Sequence, residues 1–459
     1  MSISLDHTRT SRDARPSRRN KLGGALALTG ALTLVLAACG SDDDSDSGEG
    51  SDAVDLESVL EEGGSLTVWA WEPTLEQVVE DFEAEYPEVD VDLANVGTGD
   101  EHYTALNNAI SAGSGVPDVA QIEYFALPEY ALQESVTDLR EFGAEELDGT
   151  YTPGPWGSVH QGEAIYGLPM DSGPMALFYN QEVFDTHGVD VPTTWDEFVD
   201  AARALQAADP DVYIASDTGD AGFTTSILWQ AGAQPYQVDG TDLTIDFGSA
   251  EVTRYAETWQ QLIDEGLVAE ISGWTDEWYQ GLADGTIATL ATGAWMPANF
   301  ESGVSAASGD WRVAPLPQWD EGASASAENG GSSLAVPEAS GNKELAYAFI
   351  EYANAGDGVQ TRIDQGAFPA TSEHLESEEF LNTEFEYFGG QQANQIFAES
   401  AANVVEGWSY LPFQVYANSI FNDTVGQAYV SGTSLLEGLQ AWQDATVTYG
   451  TDQGFTVNQ

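Results

Sequence analysis

The sequence predicts an α/β protein built as two lobes, and three observations carry that expectation. Apolar runs of strand length alternate with segments of helical spacing from residue 66 onward, the pattern of sheets covered by helices. The body of the chain, about 400 residues, exceeds what one hydrophobic core usually spans. Hydrophobic residues make up 42% and aromatics 11%, which supplies apolar material for two cores despite a formal net charge of −65.

The elements follow in chain order. A basic patch (Arg12, Arg15, Arg18, Arg19, Lys21) precedes an apolar run from Leu22 to Ala38. That run falls short of the roughly 20 apolar residues of a membrane-crossing helix, so residues 1–38 read as an export signal. Leu36-Ala37-Ala38-Cys39 resembles a bacterial lipobox, in which small side chains fit the signal peptidase and the cysteine thiol receives a diacylglyceride. Cys39 is the only cysteine, so a structural disulfide is excluded once it carries lipid. Residues 39–57 are expected to form an acidic flexible tether, placing the protein on the outer face of the cell membrane.

Residues 66–71 (LTVWAW) read as a first strand. A helix follows on Leu75, Val78, Val79, Phe82 and Tyr86, with Thr74 and Gln77 spaced as a capping box. Residues 89–93 alternate as a second strand, 103–112 form a helix ended by Gly113, and 119–123 form a third strand. This succession argues for a parallel sheet. Strands are also expected at 164–170 and 176–179, then a helix opened by Thr194 and Glu197 with Phe198, Val199, Ala202 and Leu205 on one face. Further helices are expected at 252–265, 275–284, 343–355 and within 433–446, while 308–333, rich in Gly, Ser and Pro, reads as a long loop.

Six of the twelve Lys and Arg and two of the 77 Asp and Glu precede Cys39, leaving 75 acids against six bases, a formal −69. Such a charge marks a disordered chain only where apolar residues are scarce. Here that holds for the tract 41–51 alone. A folded body of this charge repels itself in dilute buffer, and near-molar salt, with a Debye length of about 3 Å, removes most of that repulsion. A high-salt environment is therefore expected. Nucleic acid is excluded as a partner, because binding it needs Lys and Arg to neutralise phosphates.

Ala164-Ile-Tyr-Gly-Leu-Pro-Met-Asp171, Ala176-Leu-Phe-Tyr-Asn180 and Val191-Pro-Thr-Thr-Trp-Asp-Glu-Phe198 stand in this order with residues 66–71, 114–119, 293–295, 311–317, 330–337 and 341–354. This ordered set resembles the extracellular solute-binding proteins of family 1, the maltose-binding-like receptors of sugar ABC importers. The resemblance covers roughly residues 60–459. It implies a periplasmic-binding-protein-like fold of type II, with a hinge between the lobes and the ligand in the interlobe cleft. It further implies one lobe of 58–172 plus 317–367 and another of 173–316 plus 368–459. The chain would cross near 170–174, 315–319 and 366–369, and the lobes would close on the solute by hinge motion.

A neutral sugar offers hydroxyls and C–H faces, so its site needs flat aromatic platforms with carboxylates and amides between them. Thirteen tryptophans make such platforms available. Trp71 and Glu72 lie where the first strand gives way to a helix and Tyr124 follows the third strand, at the sheet edge where open α/β folds bind ligands. Asp171 lies beside a crossing, and Trp295 matches a glycine-tryptophan segment that the resemblance implies as a stacking platform. Trp229, Trp274 and Trp408 complete the candidate set.

Enzyme chemistry has little support. The chain has no Gly-x-Ser-x-Gly elbow and no His-Glu-x-x-His, and His102, His160, His187 and His374 read as isolated surface residues. A glycoside hydrolase would use tryptophans and two carboxylates too, and turnover of a glycoside would reveal it. Polyamines and glycerol phosphate are other conceivable solutes, although phosphate would recruit Arg or Lys, which are few here. No cofactor and no specific metal are expected. The partners expected are a sugar, a membrane permease and the lipid anchor, for a monomeric protein.

Overall fold

The computed structural model describes residues 55–459. The export signal, Cys39 and most of the tether lie outside the described residues. The end of the tether does not: Asp55 caps a helix, Leu56–Glu62, accepting from the Ser58 amide at 3.3 Å. Leu56, Val59 and Leu60 lie against the first core, which is why this segment is helical and not a free linker.

The first sheet has five strands. Gly64–Trp69 lies between Val89–Ala94 and Val119–Glu123 and is parallel to both. Ser332–Ala335 then pairs antiparallel with Val119–Glu123 and with Leu168–Pro169. The sheet is therefore mixed, not parallel throughout: Ser332–Ala335, which arrives from the other lobe, runs antiparallel to both of its neighbours. The helices Leu75–Glu85 and Lys343–Ala355 bury Leu75, Val78, Phe82, Phe349 and Ile350 in the core of this lobe. Residues 164–170 form two short strands, Ala164–Ile165 and Leu168–Pro169, in separate sheets.

The second lobe is organised on Met175–Asn180, which pairs antiparallel with Thr289–Gly293 on one side and Trp311–Pro315 on the other. Alternate side chains of a strand point to opposite faces. Met175 and Leu177 accordingly enter one core with Trp195, Trp229 and Trp442, while Ala176 and Phe178 enter another with Phe300, Trp311 and Phe388. Trp311–Pro315 lies within the segment read as a loop; its apolar Trp311 and Val313 are buried among glycine, serine and proline neighbours that mask the strand. The Thr194 hydroxyl caps Trp195–Ala208 as expected. The Thr74 hydroxyl does not cap its helix; it donates to Glu72 Oε1 at 2.9 Å.

Residues 317–327, expected in the first lobe, pack with the second. Leu316, Trp319 and Ala327 belong to its core, where the rings of Trp319 and Trp195 are 5.9 Å apart. The crossing therefore falls at 328–331. There it runs antiparallel to the crossing at 170–175: Met170 N–H donates to Ser332 O at 2.9 Å, Asn329 N–H to Gly173 O at 2.8 Å and Met175 N–H to Ala327 O at 3.0 Å. Two of the crossings between the lobes thus form a hydrogen-bonded two-stranded ribbon, and the chain crosses once more before Phe368, which packs in a core of the second lobe.

Candidate functional site

Side chains cluster on this ribbon. Glu328 is 2% exposed. One of its oxygens accepts from Gly173 N at 2.7 Å and the other from Ser172 Oγ at 3.1 Å. Burial pushes its carboxyl up to about 7, against the pull of those donors. Asp171 Oδ1 accepts from the Ser332 amide at 2.6 Å. Burial raises this carboxyl to about 6, with Arg362 and the Ser332 amide opposing. Arg362 is itself buried, which lowers its pKa while Glu72 and Asp171 raise it. Its guanidinium donates to Met170 O and, at 3.3 Å, to Thr74 Oγ1. Among the carboxyl and guanidinium groups described, Asp171, Glu328 and Arg362 thus hold main chain at the crossings. This is a structural use of charge.

Aromatic side chains are tied to the same ribbon. The Trp295 indole N–H donates to Asn329 O at 2.7 Å. The Asn329 carboxamide is fixed in turn, accepting from Thr292 Oγ1 and donating to Ser226 Oγ, both at 3.2 Å. Tyr124 OH donates to Asp171 O at 2.6 Å. Gly331 makes this approach possible: it has a φ of 101°, and a Cβ there would lie 2.5 Å from the Tyr124 ring.

The turn after the first strand is held by Gln121, whose Oε1 accepts from the amides of Trp71 and Glu72 at 3.0 and 3.1 Å. The Trp71 ring meets the rings of His102 and Tyr103 edge-on at 4.9 and 6.3 Å. His102, expected at the surface, is fully buried behind Trp71, and burial lowers its pKa to about 4. From the other lobe, Trp229 stacks on Trp408 at 4.4 Å, and Tyr410 lies 5.2 Å from Trp229 and 6.5 Å from Phe125 of the first lobe. Tyr410 packs against both cores.

The eight candidates do not form one equivalent set. Trp71, Glu72, Asp171, Trp295 and Trp408 are half-buried and Trp274 is exposed. Each of these keeps some surface for a ligand. Tyr124 and Trp229, both 1% exposed, support their neighbours and present no face. Glu328, Asn329, Arg362, Tyr410 and His102 were missed. Glu328 lies in the segment read as a long loop, where nothing in the sequence marks it as buried among so many exposed acids. No group of three or more His, Cys, Asp or Glu able to hold a metal occurs among the described residues.

Comparison with known proteins identifies the family and the fold. Residues 70–358 match the family described as bacterial extracellular solute-binding protein. The lactose-binding protein of Rhizobium radiobacter is 26% identical over 407 residues, spanning 83% of this chain and 92% of its own length. The ABC transporter associated binding protein from B. animalis subsp. lactis Bl-04, solved in complex with β-1,6-galactobiose, superposes with a TM-score of 0.80. It is 45% identical, over 86% of this chain and 99% of that one. The galacto-N-biose-/lacto-N-biose I-binding protein from Bifidobacterium longum, in complex with lacto-N-biose, gives a TM-score of 0.76 at 25% identity over 86% and 99% of the two chains. The fold is thus the two-lobed α/β arrangement of type II periplasmic binding proteins, and the chain belongs to the family of bacterial extracellular solute-binding proteins.

Proposed function

We propose that this protein is the solute-receiving component of an ABC importer and captures a galactose-containing disaccharide or short oligosaccharide between its lobes. The observation that carries the reading is the 45% identity, along 99% of that chain, to a protein solved with β-1,6-galactobiose. The faces of Trp71, Trp295, Trp274 and Trp408 would stack on sugar C–H surfaces, with Glu72 and Asp171 accepting from hydroxyls. The ligand closes the lobes to the extent that it binds the closed form better than the open one. The lobes are taken as 58–172 with 328–367 and 173–327 with 368–459. A phosphorylated solute is disfavoured by the state of the bases: Arg140, Arg203, Arg254 and Lys343 pair with carboxylates, and Arg312 and Arg362 with main-chain carbonyls.

In the same reading the protein releases its sugar unaltered to a membrane permease, acts as a monomer at high salt, and is held to the membrane by lipid on Cys39. Thermal shift in molar NaCl with β-1,6-galactobiose, lacto-N-biose, lactose and maltose tests the sugar. A ligand at a hundred times its dissociation constant adds about 2.7 kcal/mol. Absence of any shift, or hydrolysis of the sugar, overturns the proposal. Lipid labelling in cells checks the anchor, and Cys39→Ala should abolish the label.

A further inference from the structure

Trp274 is the one large aromatic of the described residues left mostly exposed, at 54%. Its backbone φ is 65°, in the left-handed region, and among the described non-glycine residues only Glu134 shares that sign. A bulky side chain in this region is a conformational outlier, of the kind concentrated at ligand clamps. The turn that holds it is fixed. Thr275 Oγ1 donates to Ser272 O at 2.8 Å and accepts from Trp278 N at 3.2 Å, starting the helix Asp276–Asp284.

The ring is placed as firmly as its backbone. It lies 5.1 Å from the buried Trp278, at 43°, and 5.8 Å from Trp295, at 29°. Fully overlapped rings would lie closer, so Trp274 and Trp295 form an offset stack that leaves part of each face uncovered. Trp295 is hydrogen-bonded to Asn329 O at the crossing, so the two indoles form steps leading outward from the ribbon.

We propose that Trp274 is the outer step of an aromatic ladder begun by Trp295, and that it holds the second sugar unit and so selects oligosaccharides over monosaccharides. This rests on the sugar-binding reading above and adds ligand length to it. The test is calorimetric titration of the protein, wild type, Trp274→Gly and Trp274→Phe, with galactose and β-1,6-galactobiose in molar NaCl. Trp274→Gly should weaken disaccharide binding by about tenfold or more and leave galactose within about twofold of wild type. Trp274→Phe should fall between. Glycine adopts a positive φ freely, which offsets part of the packing lost against Trp278, so Trp274→Gly should remain folded, and the ratio of the two affinities carries the test. Should Trp274→Gly fail to fold, the Phe variant decides by the same ratio of the two affinities. Equal losses for both sugars, or no loss, overturn the proposal. Unchanged sugar affinity with impaired uptake in cells would also overturn it, assigning Trp274 to the permease contact. A wild type that binds neither sugar refutes the function proposed above and this inference with it.

Discussion

Replacing Glu328 by Gln should stabilise the protein at pH 8 and change little at pH 5. The carboxyl titrates at about 7 in the folded chain against an ordinary 4.5, because burial disfavours its charged form. Between those values the folded state holds a proton that the unfolded chain has released. Stability contributed by this group is therefore complete below pH 4.5 and declines as pH rises to 7. At 1.36 kcal/mol per pH unit the decline amounts to about 3 kcal/mol. Gln cannot ionise and so escapes it. Its carbonyl can still accept from Gly173 N, and its NH₂ can donate to Ser172 Oγ, which now acts as acceptor. For a body of about 400 residues this corresponds to a rise of about 4 °C in melting temperature at pH 8. Differential scanning calorimetry in molar NaCl at pH 5, 6, 7 and 8 would read it. If the difference between variant and wild type is the same at every pH, Glu328 does not titrate in this range and the reasoning fails.

The remaining predictions use the same measurements. Melting temperature should rise from dilute buffer to molar NaCl, since 75 acids face six bases beyond Cys39; a flat response would refute adaptation to salt. His102 sits at about 4 against an ordinary 6.5, so its contribution is lost as pH falls through that interval. His102→Phe should spare up to about 3 kcal/mol of that acid-side loss in a pH series of melts. Gly331→Ala should cost about 2–4 kcal/mol and weaken sugar binding, because it meets the Tyr124 ring at a positive φ; a stable, fully binding variant would show that the ring gives way.

Much of the fold was legible because periodicity survives in local sequence. Lys343–Ala355 and Val119–Glu123 fall where their apolar spacing put them, and Gly113 ends its helix in the left-handed conformation. Trp311–Pro315 was hidden by its glycine- and proline-rich surroundings, and the hairpin Tyr236–Asp239 with Asp242–Ile245 by the shortness of its strands. At the site, the aromatic positions could be found from composition and strand ends. Their division into faces and supports could not, since Tyr124 and Trp229 differ from Trp295 and Trp408 only in what packs on them. Acids are so frequent that Asp171 and Glu328 stand out only when the crossing segments lie side by side. Arg362 becomes meaningful only beside Met170, which is 192 residues away in sequence.

The paired crossing at 170–175 and 327–332 has a mechanical consequence. Two separate linkers could shear, twist and stretch independently, letting the jaws meet in many registers. Here Gly173 and Asn329 are bonded through main-chain atoms, so neither segment can slide without breaking that ladder. Bending the strap as a unit keeps it whole, and the swing is channelled toward one axis. Substitutions along the rims can then alter which solute is gripped without retuning the stroke itself.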